Sequence, residues 1–293
     1  MYNKAIDILE LCKKENKKIS EIAIKKEMIT RNITKEKVIE EMKIVYEVMK
    51  KSATLGLETP LISHSKITGG NALRINNYKK ANDTLSGEFI NMAMAMAVST
   101  SEVNASMGVI CAAPTAGASG ILPSSILSAQ AKFNTSNDDV ILALFTAAAI
   151  GELATKNATV SGAEGGCQAE CGVAASMAAA AIVELAGGTP DDSFNAASFA
   201  LINVMGLICD PVAGLVEYPC FLRNASGVVN AFISADLALA GVQCLIPFDE
   251  VLDSMYKVGK SLPDALRETA LGGIANTPAA KEIARRFYYE DNK

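Results

Sequence analysis

The sequence predicts a mainly α-helical fold, a compact multi-helix domain with glycine-rich loops and little or no sheet, and three observations carry that expectation. In the first fifty residues apolar side chains recur at helical spacing between solvated Lys and Glu. From Gly87 onward, long apolar runs alternate with Gly and Pro punctuation. Strand signals, the period-two alternation of apolar and polar residues, are scarce.

Taken in order, Ile6, Leu9 and Cys12 mark a first amphipathic helix, Ile19 and Ile22 a second, and Val38, Met42 and Val45 a third. Twelve Lys or Arg among residues 1–50 make these an outer layer, expected to extend to about residue 80 and to include a loop at 63–71. Between Lys80 and Arg223 the only basic residues are Lys132 and Lys156, so the middle of the chain must be core. Helix stops are expected near 114–120, 161–166, 187–190 and 210–214. Thr189-Pro190-Asp191-Asp192 supplies a capping hydroxyl, a proline at the first helical position and acids in the first turn, and Thr277-Pro278 repeats the cap and proline. No internal repeat, low-complexity tract or linker interrupts the chain after about residue 80, and residues 1–293 are expected to form a single domain.

Half of the residues are apolar, 5% are aromatic and none is Trp, while Ala and Gly are abundant. Such a core packs small side chains between closely approaching helices. A net charge of -5 and a pI near 5.2 give no electrostatic basis for nucleic acid or an anionic membrane as partner, and a small-molecule substrate fits better. The apolar runs 140–151 and 176–183 fall short of the roughly 20 residues that span a bilayer. The N-terminus lacks the apolar core of a signal peptide, so the protein is expected in the cytoplasm. Seven cysteines, an odd number without an export signal, argue against a disulfide framework and leave metal ligation or plain burial.

Four segments set glycine and polar residues within apolar sequence, which is costly unless the polar groups find partners. In Ser63-His64-Ser65-Lys66-Ile67-Thr68-Gly69-Gly70-Asn71 the glycine pair frees backbone for close approach to a carboxylate or phosphate, although an ordinary turn capped at Asn71 also explains it. The segment 112–120 offers amides and the Thr115 hydroxyl, or is simply a helix connection; it lacks the lysine of a P-loop and the Rossmann context. Segments 161–172 and 209–224 hold Cys167, Cys171, Cys209 and Cys220 beside Gly, Pro or acid, as ligands at loops are held. Cys12 and Cys244 read as core, as does Cys111 at the edge of the Thr115 loop. The spacings match neither a tetrahedral zinc site nor a ferredoxin run, but a cluster assembled by the fold stays open as a reading.

At SGAEGGCQAECG, CDPVAGLVEYPCFLRNA and APTAGASGILP the sequence resembles the alpha chain of the iron-sulfur-dependent L-serine dehydratases, in the expected order and over nearly the whole chain. The resemblance implies a catalytic domain with glycine-rich active-site loops that converts L-serine to pyruvate and ammonia without pyridoxal phosphate. It implies a 4Fe-4S cluster held by Cys167, Cys209 and Cys220, with one iron left open as a Lewis acid, and it gives Cys171 no role beyond core or support. It also implies a separately encoded beta subunit, because the chain begins directly with the catalytic part. The C-terminal residues, Tyr288, Tyr289 and a charged tail, contain no cysteine that would cap the open iron.

For positioning the substrate the candidates are Ser65, Thr68, Gly69 and Gly70, then Thr115 and Gly117, and then Asn157 and Arg223 near the cysteine motifs. Lys156 and Arg223 have a structural reading of equal weight, an ion pair with Glu152, Glu164 or Glu170. His64, the only histidine, has the side-chain type suited to proton abstraction near neutral pH, with a histidine of the beta part as the alternative base. Two other functions compete: a cluster-dependent lyase acting on L-cysteine, and a non-catalytic iron-sulfur or redox-sensing subunit.

Overall fold

A computed structural model describes residues 1–289; the charged tail beyond Tyr289 lies outside them. Within them 71% of the chain is helical, in thirteen α-helices, and no strand forms. Two isolated bridges, Ile62 with Gly69 and Cys209 with Arg267, are the only sheet-like pairings among the described residues.

The centre is α9 (Val173–Leu185), in which every residue from Val173 to Glu184 is buried. Its run of alanines combines high helix propensity with side chains small enough for close approach. Against it pack α6 (Ile121–Phe133), α7 (Asn137–Asn157), α10 (Pro190–Ile202) and α11 (Cys220–Leu239). The polar groups on α9 are matched across these contacts. Ser176 donates to the Ala197 carbonyl of α10 at 2.9 Å, and the buried Glu184 accepts from the Thr146 hydroxyl of α7 at 2.5 Å. The stretch 168–185 has the length and hydropathy to cross a bilayer, but 94% of it is buried inside the protein.

The outer layer is α1 (Ala5–Glu15), α2 (Ile19–Arg31) and α3 (Lys35–Leu55), with α2 on α7 and α3 on α6 and on α5 (Gly87–Ala105). The buried stripe of α1 is Ala5, Ile8 and Cys12, one register away from the predicted Ile6 and Leu9. Asp249 decides that register by accepting from the amides of Ala5 and Ile6 at the helix start, which turns Ile6 outward. The predicted caps form: Thr189 accepts from the Asp192 amide at 3.2 Å and Thr277 from the Ala280 amide at 3.3 Å.

Three further helices complete the fold. One is α12 (Phe248–Ser261), which lies against α10 and against the single turn α8 (Gly162–Gly165). Another is α4 (Asn71–Ala81), which lies on α5; α13 (Pro278–Tyr289) covers the turn at 212–214.

Candidate metal centre

The two cysteine segments meet at the N-terminal end of α9. After α8 the chain reverses at Gly166, whose φ of +75° suits glycine, and a Cβ there would sit 2.7 Å from the Leu207 carbonyl. Residues Gln168–Gly172 then form a π-helical turn leading into α9, a wide turn that projects Cys167, Glu170 and Cys171 together. The fully buried Gln168 locks it, donating to the Gly165 and Met255 carbonyls and accepting from the Gly206 amide at 2.8 Å. Opposite, Cys209 is pinned through its backbone, donating to the Leu266 carbonyl at 2.9 Å and accepting from the Glu268 amide at 2.7 Å.

One ligating atom each from Cys167, Glu170 and Cys209 lies within 4.8 Å of the others, and all three residues are buried. Cys171, expected only as core or support, stands with them, its sulfur 3.4 Å from that of Cys167. The Cys209 thiol faces a Glu170 carboxylate oxygen at 3.6 Å. Cys220 opens α11 just after the cis Tyr218-Pro219 bond, half-buried and outside this tight group, yet near enough that the charges on Cys167 and Glu170 act on it.

The electrostatics follow from burial and crowding. Hydrogen bonds from Cys171 and Cys209, helped against burial by the Arg223 charge, hold the Cys167 thiol well below the ordinary range. The same bonds push Cys171 and Cys209 up, with burial adding to the effect. Burial, then the charge on Cys167, raises Cys220 to about 12. Burial, then Cys167, also raises the Glu170 carboxyl to about 7. Arg223, whose charge acts on Cys167, is already paired with Asp210 at 2.6 Å. It is therefore Asp210, and not Glu152, Glu164 or Glu170, that forms the ion pair expected of Arg223, while Lys156 pairs with Glu152 at 2.5 Å.

Two loops border this centre. In the first, Ser65 and Thr68 donate to one oxygen of the buried Glu217 at 2.8 and 3.0 Å, fastening the loop to the segment that precedes Cys220. Gly69 closes the bridge to Ile62, and the Gly70 amide donates to the Leu61 carbonyl at 2.8 Å. The helix start after this glycine pair is filled by the protein's own Glu102, which accepts from the Asn71 amide at 2.6 Å. His64 is exposed and is anchored through its amide to the Ala105 carbonyl.

In the second loop, Thr115 donates to Glu170 at 2.7 Å. A Cβ on Gly117 would come within 3.2 Å of the same carboxylate. Asn224 ties this loop to α11, donating to the Gly117 carbonyl and accepting from the Gly120 amide. The fold thus gathers Ser65, Thr68, Thr115, Gly117 and Arg223 around the cysteine segments. It leaves Asn157 apart, exposed at the end of α7 and bonded to the Asn3 carbonyl.

Asp210, Glu217, Asn224 and Gln168 are residues at the site that sequence reasoning passed over, and Glu170 was weighed there only as an ion-pair partner. A signal was present for each, since all five are polar residues inside the two cysteine motifs.

The donor set fits a metal. Thiols and a carboxylate stand together out of water while the Arg223 guanidinium beside them is engaged by Asp210, an arrangement a bound cation would balance. Sulfur-rich sets favour iron-sulfur clusters or zinc over magnesium or calcium. A cradle is cut for the donors at Gly162, where a Cβ would meet Glu170 at 2.5 Å and the Cys209 sulfur at 3.0 Å.

Fold and site together define a mainly helical protein in which a buried group of thiols and a carboxylate that could hold a metal ion is bordered by two glycine-rich loops. Residues 14–275 match the family model described as serine dehydratase alpha chain, and the chain belongs to that family. It is 49% identical over 290 residues to the L-serine dehydratase alpha chain of Peptoniphilus asaccharolyticus, covering 99% of both chains. To a probable L-serine dehydratase alpha chain of Bacillus subtilis (strain 168) it is 46% identical over 288 residues, 98% of this chain and 96% of that one. It is also 36% identical over 281 residues to L-serine dehydratase TdcG of Escherichia coli (strain K12), where the match spans 94% of this chain but 61% of the longer relative.

Proposed function

We propose that the chain is the alpha subunit of a cytoplasmic L-serine dehydratase, a lyase that releases pyruvate and ammonia from L-serine in association with a separately encoded beta subunit. The observation that carries this reading is the buried grouping of Cys167, Glu170 and Cys209, in a chain of the serine dehydratase alpha family. Cys167, Cys209 and Cys220 would hold a 4Fe-4S cluster, with Cys171 beside them. When bound, the cluster supplies a Lewis acid that makes hydroxide a feasible leaving group.

The rest of the work falls to the chain itself. Arg223, fixed by Asp210, supplies positive charge beside the cysteines, suited to orienting a substrate carboxylate. Glu217 holds Ser65 and Thr68 in one arrangement, so the first loop meets substrate as a rigid wall with little entropy left to lose. Gly69, Gly70 and Gly117 let that wall and its opposite approach closely. Proton removal from the substrate carbon is assigned to His64 or to a group of the beta subunit, because His64 is the only histidine of this chain and stands exposed at the loop.

Anaerobic purification followed by iron analysis, visible absorption, and assays with L-serine, L-threonine and L-cysteine tests the reading, with the beta subunit absent and then present. Iron-bound brown protein and pyruvate from serine are the expected result. Colourless protein after anaerobic reconstitution with iron and sulfide overturns it, and faster sulfide release from cysteine shifts the assignment to that substrate.

A further inference from the structure

Three cysteines leave one position of a four-iron centre without a thiolate, and the structure shows which group stands ready for it. Of the carboxylates in the cysteine motifs, Asp210 is engaged at both oxygens, by Arg223 at 2.6 Å and the Ile274 amide at 2.7 Å. Glu217 is engaged by Ser65 and Thr68, and Glu164 lies toward solvent against Lys260 at 2.9 Å. Glu170 alone points into the sulfur group: one oxygen accepts from Thr115 at 2.7 Å, and the other faces the Cys209 sulfur at 3.6 Å. Its carboxylate lies in a slot between Gly117 and Gly162, where a Cβ would come within 3.2 and 2.5 Å of its oxygens. Glycine on both sides, a hydroxyl on one oxygen and sulfur at the other are more than a structural acid needs.

We propose that Glu170 is a ligand of the metal centre, donating its Cys209-facing oxygen at the position the thiolates leave free, while Thr115 holds its second oxygen and fixes its orientation. This rests on the dehydratase reading and deepens it. A carboxylate binds soft, thiolate-bound iron more weakly than a fourth thiolate does, so the position stays exchangeable. A lyase centre needs that property, because the substrate oxygen has to enter there. The hydroxyl of Thr115 keeps the displaced carboxylate in place, as a supporting partner orients a ligand. No bond to carbon forms or breaks in this exchange; one oxygen donor replaces another.

The full-length chain, loaded anaerobically with 57Fe, tests this by Mössbauer spectroscopy before and after L-serine is added. In the wild type, about one iron in four should give a separate, oxygen-ligated signal that moves with serine. Glu170→Cys should remove that signal, leaving four alike sulfur-ligated irons that no longer respond to serine. Glu170→Gln should keep the iron and shift the separate signal before any serine is present.

A wild-type cluster with four alike irons overturns the proposal without any variant, and so do iron-loaded variants whose spectra match the wild type. Both results leave the dehydratase reading standing. A wild-type chain that binds no iron overturns that reading together with the role of Glu170.

Discussion

The group around Glu152 and the group around Glu170 are built on opposite rules. Where the outer layer meets α7, Glu152 is surrounded by partners: Lys26 at 2.6 Å, Lys156 at 2.5 Å and the Tyr2 hydroxyl at 2.8 Å, with the Lys26 ammonium over the Tyr2 ring. Burial works against that carboxylate, yet the three donors hold it below its ordinary range. At the end of α9, Cys167, Glu170 and Cys209 crowd one another instead, and the same burial pushes Glu170 up. A cluster that brings its own counter-charges is a fastening. One whose neighbouring guanidinium, Arg223, is already engaged by Asp210 leaves a donor set that could hold a metal ion.

The sharpest test of that contrast is the cradle. Gly162→Ala places a methyl group 2.5 Å from the Glu170 carboxylate and 3.0 Å from the Cys209 sulfur, so the donors must part. Gly162 is buried and α8 packs on α12, so a stability loss of about 1–3 kcal/mol is expected from overpacking as well. Iron retained after anaerobic gel filtration should fall about tenfold or more, in the range typical of lost supporting contacts. A variant that melts early but keeps its iron would show that the cradle serves folding and not the metal.

How much of this was legible in the sequence follows the same division. The capping residues Thr189 and Thr277 declared their helices because a cap is decided by neighbours three residues away. The core position of α9 was equally plain, since a charge-free run of alanine has no solvent face to offer. Cys167 and Cys209 were marked by their motifs. What local sequence does not carry is pairing across the fold. Arg223 gave no sign of choosing Asp210, nor Thr115 of choosing Glu170, because those partners are set by where α11 and the π-helical turn cross. The register of α1 was lost for a like reason: Asp249, which fixes it, is 244 residues from Ala5.

The fastening in the outer layer predicts the converse of Gly162→Ala. Glu152→Ala leaves Lys26 nearly buried, with 9% of its side chain exposed, beside Lys156 and without the carboxylate they shared. A fully buried pair broken in this way costs about 3–5 kcal/mol; Glu152 keeps 29% exposure, so about 2 kcal/mol is expected. Urea denaturation should show that loss while iron content stays at the wild-type level. Loss of iron in this variant would mean that the two clusters are coupled and the contrast is false.

The smallest effect is a dependence on pH, and its sign separates the two clusters again. In the metal-free chain burial raises the Glu170 carboxyl to about 7, above its value in the unfolded chain. The folded state therefore prefers the protonated form, so this contribution to stability is complete below the unfolded value and is lost as pH rises through about 7. Cys167, held low, contributes in the opposite direction, so the informative quantity is the difference between the wild type and Glu170→Gln. Thermal melts of both metal-free chains from about pH 5 to about pH 8 should show the wild type losing ground to the variant as pH rises. Glu152, held below its ordinary range, has the other sign: its contribution is present at neutral pH and fades on acidification. A wild type that gains on Glu170→Gln with rising pH would mean that Glu170 is stabilised as a carboxylate by the chain alone, as Glu152 is, and that the centre needs no outside cation.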